Sequence, residues 1–267
     1  MTWTDLHSHI LPGFDDGASN DEEFLEMAQV AVQGDTSLMA ATPHYDCESP
    51  AFDTGEAAAA VDHYNGLLQE RGIPLVLVPG VEVRINAGLF DLAKGGGGLQ
   101  ELCLGGNGKY ILVDLPLMNV PVATPDILFQ IQLCGITPIL AHPERNSYLV
   151  DHPSVIRDLI ERGIEIQVNS GSLDGLFGKA ARRTARRLLE EGAARLVASD
   201  AHTPRSRSPD LSKAARALRG LLGEEAPSLL LSANPGLVLS GEELAGVTRS
   251  SSHRSGSSRK RARRKLP

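Results

Sequence analysis

A parallel, barrel-like α/β fold is what this sequence predicts, and three observations carry the prediction. Strand-like apolar runs alternate with helical stretches seven times along the chain. Almost every side chain able to bind a metal falls at the C-terminal end of one of those runs, the face on which barrel enzymes place their sites. A length of 267 residues with 42% hydrophobic content suffices for one such barrel or for two smaller domains. An open, doubly wound sheet is the alternative, and the placement of the polar residues favours the barrel.

The elements follow in order. The opening stretch, MTWTDLHSHILPGFDDG, holds a short strand running into His7 and His9. Side chains at i and i+2 of a strand share a face, so both imidazoles can approach one ion. After the LPGF turn come Asp15 and Asp16, hard oxygen donors. Such a pattern suits a divalent transition metal that accepts nitrogen and oxygen; an exposed histidine pair beside a turn is the plainer alternative. Ser19 reads as an N-cap with Glu22 completing a capping box, opening a helix to about Gly34. A second strand, 37–41, ends in ATPHYD and presents His44. A helix over about 55–71 is closed by Gly72 and Pro74, and the run PLVLVPGVEVRI carries Glu82. Gly95 to Gly98 reads as a flexible loop and not a phosphate cradle, since no GxxxxGK[ST] accompanies it.

The fourth strand, YILVDLP, places Asp114 near its end. Thr124 reads as the cap of a helix with Pro125 at its favoured first position. TPILAHPER forms the fifth strand and delivers His142 and Arg145. A helix over about 153–162 ends at Gly163, EIQVNSGS is the sixth strand, and Lys179 to Glu191 forms a helix with a basic exposed face. The seventh strand, ARLVASDAH, delivers Asp200 and His202. One or two helices fill 209–233, and Asn234-Pro235 breaks the pattern.

Composition excludes several classes. No apolar stretch approaches the length of a membrane span, and the polar, acidic N-terminus has no secretory pattern, so a cytoplasmic location is expected. Three cysteines without CxxC spacing argue against a disulfide framework or a zinc ribbon. None has an arginine six residues on, where Asp53, Lys109 and Leu140 stand. The net charge of −7 is uneven. Residues 248–267 hold eight Lys and Arg and no acid, leaving 18 basic against 33 acidic groups in residues 1–247. The domain reading is therefore a body over 1–247 and a disordered basic tail over 248–267. The tail is open to docking on nucleic acid, anionic lipid or an acidic partner, or to no essential role.

Of eight histidines, His7, His9, His44, His142 and His202 fall at strand ends, while His63, His152 and His253 read as bystanders. One histidine at a strand end is ordinarily a hydrogen-bonded structural residue. Five of them with Asp16, Glu82, Asp114 and Asp200 are a different matter, because carboxylates gathered in one barrel mouth without cations are strongly unfavourable. Metal ions supply the missing charge. Nine N/O donors without a thiolate exceed what one ion uses and fit two or three Mn²⁺, Fe or Zn²⁺ ions. Two metals about 3.5–4 Å apart can hold a bridging hydroxide for in-line attack on a phosphoester. Arg145 and Arg207 lie just past ligand-bearing strands and could fork onto phosphate oxygens; taken singly, each reads as a surface salt bridge.

HSHILPGFDDG, ATPHY, PGVEV, AHPER and SDAH together resemble the polymerase-and-histidinol-phosphatase (PHP) superfamily of metal-dependent phosphoesterases. More narrowly, HILPGxDDG with AHPER resembles the bacterial manganese-dependent protein-tyrosine phosphatases of capsule and exopolysaccharide gene clusters, over roughly residues 4–240. The resemblance implies a distorted (βα)7 TIM-like barrel with a metal cluster, Mn²⁺ foremost. Its ligands would be His7, His9, Asp16, His44, Glu82, Asp114, His142, Asp200 and His202, with Arg145 and Arg207 on the phosphate and Asp200 and His202 serving catalysis. Relatives usually carry a glutamate where this chain has Asp114, one methylene shorter. The implied substrate is phosphotyrosine on a cytoplasmic tyrosine autokinase. Independently of resemblance, the absence of a CX5R loop means that any tyrosine-phosphatase activity must come from the metals. Histidinol phosphate or another small phosphoester, a nuclease of the same superfamily, and a metal-free regulator are the competing readings. The acidic body argues against the nuclease, and the near-complete ligand set against the regulator.

Overall fold

The strands account for themselves by period-two alternation. In β6 (Tyr110–Asp114), Ile111 and Val113 join the large apolar layer under the outer helices. Tyr110 and Leu112 join a second cluster with Leu6, Ala40, Ile139 and Leu196. That second cluster draws on strands all around the molecule, so it is the packed interior of a barrel rather than one face of an open sheet.

In the computed structural model, which describes residues 2–246, nine strands form seven staves. β1 (Trp3–Ser8) pairs in parallel with β2 (Thr36–Ala41), and β2 with β4 (Val76–Pro79). β3 (His44–Tyr45) continues the line of β2, and β5 (Glu82–Arg84) that of β4. β3 and β5 pair with each other, and the sheet then runs in parallel through β6, β7 (Thr137–Ala141), β8 (Glu165–Asn169) and β9 (Leu196–Ala198). The ring closes where His9 N–H donates to the Ala201 carbonyl at 2.8 Å and Asp200 N–H to the His7 carbonyl at 2.8 Å, beside a parallel bridge between Ser8 and Ala201. The barrel expected from sequence is thus present, and the open sheet is not. The run PLVLVPGVEVRI is two strands, parted at Gly80, where an added Cβ would stand 2.9 Å from Leu104.

Helices surround the barrel: α1 (Asp21–Gln33), α2 (Thr54–Glu70), α3 (Ala87–Gly95), α4 (Thr124–Leu133), α5 (Ser147–Asp151), α6 (Pro153–Glu161), α7 (Ser170–Asp174), α8 (Gly178–Glu190), α9 (Ser212–Leu222), α10 (Ala226–Ser228) and α11 (Asn234–Ser240). Among the described residues no helix is long and apolar enough to cross a membrane.

Four local expectations are corrected. Asn20, not Ser19, caps α1, its side chain accepting from Glu23 N–H, while Glu23 and not Glu22 reaches back to Ser19. Thr124 is the first residue inside α4 and Ala123 the cap, without a side-chain bond. Gly95 ends a helix, α3, capped at Asn86, and Gly96 takes the left-handed conformation that terminates it. Asn234-Pro235 does not break the chain's helical course, because a wide turn over Leu229–Ala233 leads directly into α11, and proline is tolerated in a first turn where its missing N–H costs nothing. The basic tail, its boundary after residue 247, and His253 lie outside the described residues.

Candidate metal centre

Each stave delivers a polar side chain to the barrel's C-terminal mouth. His7 and His9 come from the end of β1, His44 from β3, Glu82 from β5 and Asp114 from the end of β6. His142 follows β7, Asn169 ends β8, and Asp200 and His202 follow β9. Two of these residues sit at positive φ, His142 at 32° and Asp200 at 53°. Left-handed backbone at residues other than glycine costs free energy and gathers at functional sites.

The donor atoms converge in three overlapping sets, each with ligand atoms within 4.8 Å of one another: His9, Asp16, His44 and His202; His7, Glu82 and His142; and His7, His9 and Asp200. Glu82 Oε2 lies 2.8 Å from His44 Nδ1, 3.3 Å from His7 Nε2 and 3.4 Å from His9 Nε2, while Oε1 lies 3.0 Å from His142 Nε2. His7 Nε2 and His9 Nε2 face each other at 3.2 Å, an approach that two neutral lone pairs would resist. Glu82 Oε2, Asp114 Oδ1 and His202 Nε2 are buried and have no well-directed hydrogen bond. Facing nitrogens and orphaned buried oxygens in one pocket fit divalent cations.

The electrostatics agree. Burial would raise the carboxyl of Glu82, yet the surrounding imidazoles hold it well below the usual range. Asp200 behaves likewise, burial opposed chiefly by His7 and His9. Burial would lower His142, but Glu82 and then Asp200 lift it to about 9. His9 rises for similar reasons, with Asp15 foremost among the groups that overcome burial. His202 goes the other way, to about 4, through burial and the charge of His9. The two buried carboxylates therefore demand positive charge beside them, from protons on imidazoles or from metal ions.

All nine expected ligands reach this mouth, and Asp114 is the outlier. Its Oδ1 is 3.9 Å from His142 Nδ1 and it belongs to none of the three sets. Burial and Glu82 push its carboxyl up to about 6. The shorter side chain falls back from the cluster. Arg145 and Arg207 both bind Asp200, Arg145 through Nη1 to Oδ2 and Arg207 through Nη2 to Oδ1 at 2.6 Å. The Arg145 guanidinium also lies 4.0 Å over the Phe177 ring.

Sequence reading named Asp15 only as an oxygen donor and missed the other residues that hold these groups in place. Asp15 accepts from His9 Nδ1 at 2.5 Å and from His44 N–H at 2.8 Å, so it orients two histidines, while Asp16 Oδ1 faces His202 Nε2 at 3.2 Å and His44 Nε2 at 3.6 Å. Gln167 Oε1 accepts from His7 Nδ1 at 2.9 Å, and the Asp200 carbonyl from His202 Nδ1 at 3.0 Å. Each bond fixes a tautomer and leaves Nε2 facing the cluster. Asn169 Nδ2 donates to Asp200 Oδ2 at 2.8 Å, and buried Glu144 accepts from Asn169 N–H and Ser172 Oγ. Buried Asp5 ties β1 to Ser199 N–H at 2.9 Å. The bystanders His63 and His152 sit against tyrosines and belong to none of the three donor sets.

A family model described as capsular polysaccharide synthesis, CpsB/CapC, matches residues 3–240. The chain belongs to the CpsB/CapC family. It is 37% identical over 227 residues to tyrosine-protein phosphatase YwqE of Bacillus subtilis (strain 168), across 85% of this chain and 87% of that one. To tyrosine-protein phosphatase CpsB of Streptococcus agalactiae it is 26% identical over 245 residues, across 88% and 97%. A crystal structure from work on YwqE of B. subtilis and CpsB of Streptococcus pneumoniae, described as unique metal-dependent tyrosine phosphatases, superimposes with a TM-score of 0.82 at 32% identity, covering 91% of this chain and 96% of that one. The resemblance read from HILPGxDDG and AHPER is thereby borne out.

In this CpsB/CapC chain the glycine of the DDG run has a purely steric cause. A Cβ on Gly17 would stand 1.8 Å from the His9 carbonyl oxygen and 2.6 Å from its Cβ. Gly17→Ala must therefore displace the backbone that carries His9. Its expected cost is about 3 kcal/mol or more, the upper end for overpacking, read as a lowered denaturation midpoint together with loss of bound metal. A midpoint within error of wild type would refute the contact.

Proposed function

We propose that this chain is a metal-dependent protein-tyrosine phosphatase that hydrolyses phosphotyrosine monoesters. The observation that carries the reading is Asp200: one carboxylate belongs to a metal-ligand set with His7 and His9 and also binds two arginines. A centre so built places guanidinium forks beside the ions, which is what a phosphoryl group with several charged oxygens requires.

His9, Asp16, His44 and His202 would hold one ion, His7, Glu82 and His142 another, and His7, His9 and Asp200 a third that shares their donors. When bound, such ions supply an activated water and positive charge against the oxygens of the phosphoryl group. The protein does the rest. Gln167 and the Asp200 carbonyl keep protons on the Nδ1 atoms of His7 and His202, so that Nε2 presents a lone pair. Arg145, its guanidinium over the Phe177 ring, and Arg207, both anchored on Asp200, would orient the phosphoryl oxygens. The open side, at Asp16 and half-buried His44, admits the ester.

In this reading the ion is Mn²⁺ and the substrate a tyrosine autokinase of capsule or exopolysaccharide assembly in the cytoplasm. A thiolate-free N/O donor set is compatible with Mn²⁺, as it is with Fe or Zn²⁺, and the family's description, capsular polysaccharide synthesis, supports the capsule setting of the second. The test is phosphate release by chelator-stripped protein after Mn²⁺ is restored, with phosphotyrosine peptide, phosphoserine peptide and histidinol phosphate compared side by side. Mn²⁺-dependent release chiefly from phosphotyrosine is the expected result. Preference for histidinol phosphate would overturn the substrate, and release unaffected by stripping would overturn the metal.

A further inference from the structure

The ATPHY run places two rings side by side, and one of them is a ligand. His44 and Tyr45 form β3, and neighbouring residues of a strand turn to opposite faces. His44 turns to Glu82, with its Nδ1 2.8 Å from Oε2. Tyr45 is half-buried and packs against the large apolar layer. Two further rings fix it there. Phe52 meets Tyr45 edge-on, with centroids 5.6 Å apart at 67°, and Phe14 meets Phe52 likewise at 5.0 Å and 76°. Phe14 belongs to the turn that carries Asp15 and Asp16. The three rings thus tie together the two loops that supply Asp16 and His44 to the open side of the centre.

A cleft of about 80 Å³ lies beside them, bordered by the ligands His44 and Glu82, by Tyr45, and by Asp46 and Arg84. Arg84 stands two residues beyond Glu82 in β5 and so shares its face. Its Nη1 lies 3.6 Å from Asp46 Oδ2, and 59% of the side chain remains exposed. Glu82 is fully buried, so the cleft reaches from solvent to a ligand on the floor of the centre. A phenol ring and a guanidinium on its walls are groups that accept an aromatic ring, by edge or by face. The cleft has about half the roughly 150 Å³ that encloses a benzene molecule. It suits a flat ring left partly in solvent.

We propose that Tyr45, with Arg84 beside it, determines specificity by holding the aromatic ring of an aryl phosphate monoester; the ester itself rests on the phosphatase reading above. Reach and fill select this occupant. His7, His9 and Glu82 are fully buried, so the phosphorus has to pass below the rim. A ring between phosphate and peptide spans that depth and leaves the peptide outside, whereas a serine ester brings its backbone down to the rim. A ring in the cleft also gains contacts with Tyr45 and Arg84 that an alkyl group cannot match, worth about threefold to tenfold in affinity. Phe52 and the apolar layer already hold Tyr45 in place, so little ordering is required when the ring arrives.

The test titrates full-length, Mn²⁺-loaded protein with phenylphosphonate and with methylphosphonate. Both carry a charged phosphonate head and resist hydrolysis, and only one carries a ring. Wild type should prefer phenylphosphonate. Tyr45→Leu, which keeps an apolar side chain on the core, should lose about threefold to tenfold of that preference, and Tyr45→Phe should retain it. In turnover, kcat/KM of Tyr45→Leu for phenyl phosphate relative to glycerol phosphate should fall by the same factor, with the loss carried by KM. Equal weakening of both phosphonates would mean that Tyr45 only braces His44, and would overturn the proposal. So would an unchanged preference in Tyr45→Leu, or no preference in wild type. Should Tyr45→Leu fail to fold, Arg84→Gln decides in its place: the preference should fall about twofold or more, and an unchanged one overturns the aryl cleft. If the ring preference depends on Tyr45 but no phosphotyrosine is cleaved, the phosphatase reading fails and the aryl cleft stands.

Discussion

Glu82→Gln is expected to strip the centre of metal and abolish turnover while leaving the barrel folded. Glu82 is fully buried, and its two oxygens face four imidazoles, those of His7, His9, His44 and His142. The amide keeps the shape and removes the charge. It also turns an NH₂ group toward nitrogens that should be lone-pair donors to the ions. Removing one member of a buried set of charges costs about 3–5 kcal/mol, which at about 1.4 kcal/mol per decade amounts to roughly 10²- to 10⁴-fold in retention of the divalent ion. The measurement pairs metal content after gel filtration with the melting temperature before and after Mn²⁺ addition. Wild type should gain thermal stability from the ion by mass action, and the variant should gain little. Metal content and activity within twofold of wild type would remove Glu82 from the ligand set. Asp114→Asn is the natural comparison, because Asp114 stands outside the three donor sets and its loss should leave metal content nearly unchanged.

The contrast between Glu82 and Asp114 shows what a sequence can and cannot say about such a centre. Strand ends were legible because apolar runs with period two stop abruptly at histidines and carboxylates, and a parallel barrel gathers all such stops on one face. Register and reach were not. Asp114 occupies the expected place in β6 yet falls short by the length of its side chain. Asp15 and Asp16 are neighbours of identical chemistry, and only the fold of the turn, with His44 N–H and His9 brought to Asp15, assigns one to orienting and the other to the open side. Gln167, Asn169 and Glu144 carried no signal at all, since their partners lie 160, 31 and 25 residues away. The cap of α1 was placed one residue early, at Ser19, for a similar reason. Ser19 with Glu22 and Asn20 with Glu23 are equivalent patterns one residue apart, and the packing of Phe24, Met27 and Ala28 on the barrel chooses the second.

Arg145→Lys should lower kcat/KM for phosphotyrosine substrates by about 10²- to 10³-fold, the range for loss of one preorganised donor aimed at developing charge, with metal content maintained. Charge alone is kept, so any loss reports geometry. Lysine offers a point charge where arginine offers a planar fork, and it has no planar group to present to the Phe177 ring. Arg145 is only 14% exposed, so a shorter reach is not easily made up by movement. A loss could also arise indirectly, through Asp200, to which Arg145 is bound. Two readouts separate these causes. If Arg145 meets the phosphoryl group, competitive inhibition by inorganic phosphate weakens in parallel with kcat/KM. If it only braces Asp200, metal affinity weakens and phosphate inhibition of the metal-saturated enzyme does not. Arg207 supplies the second test, because it grips the other oxygen of the same carboxylate. Residues sharing a partner couple, so Arg145→Lys with Arg207→Lys should cost less than the product of the single losses if Asp200 is the common hinge. Strict multiplicativity would mean that the two guanidinium groups act on separate phosphoryl oxygens, and the hinge at Asp200 would then have no part in their cooperation.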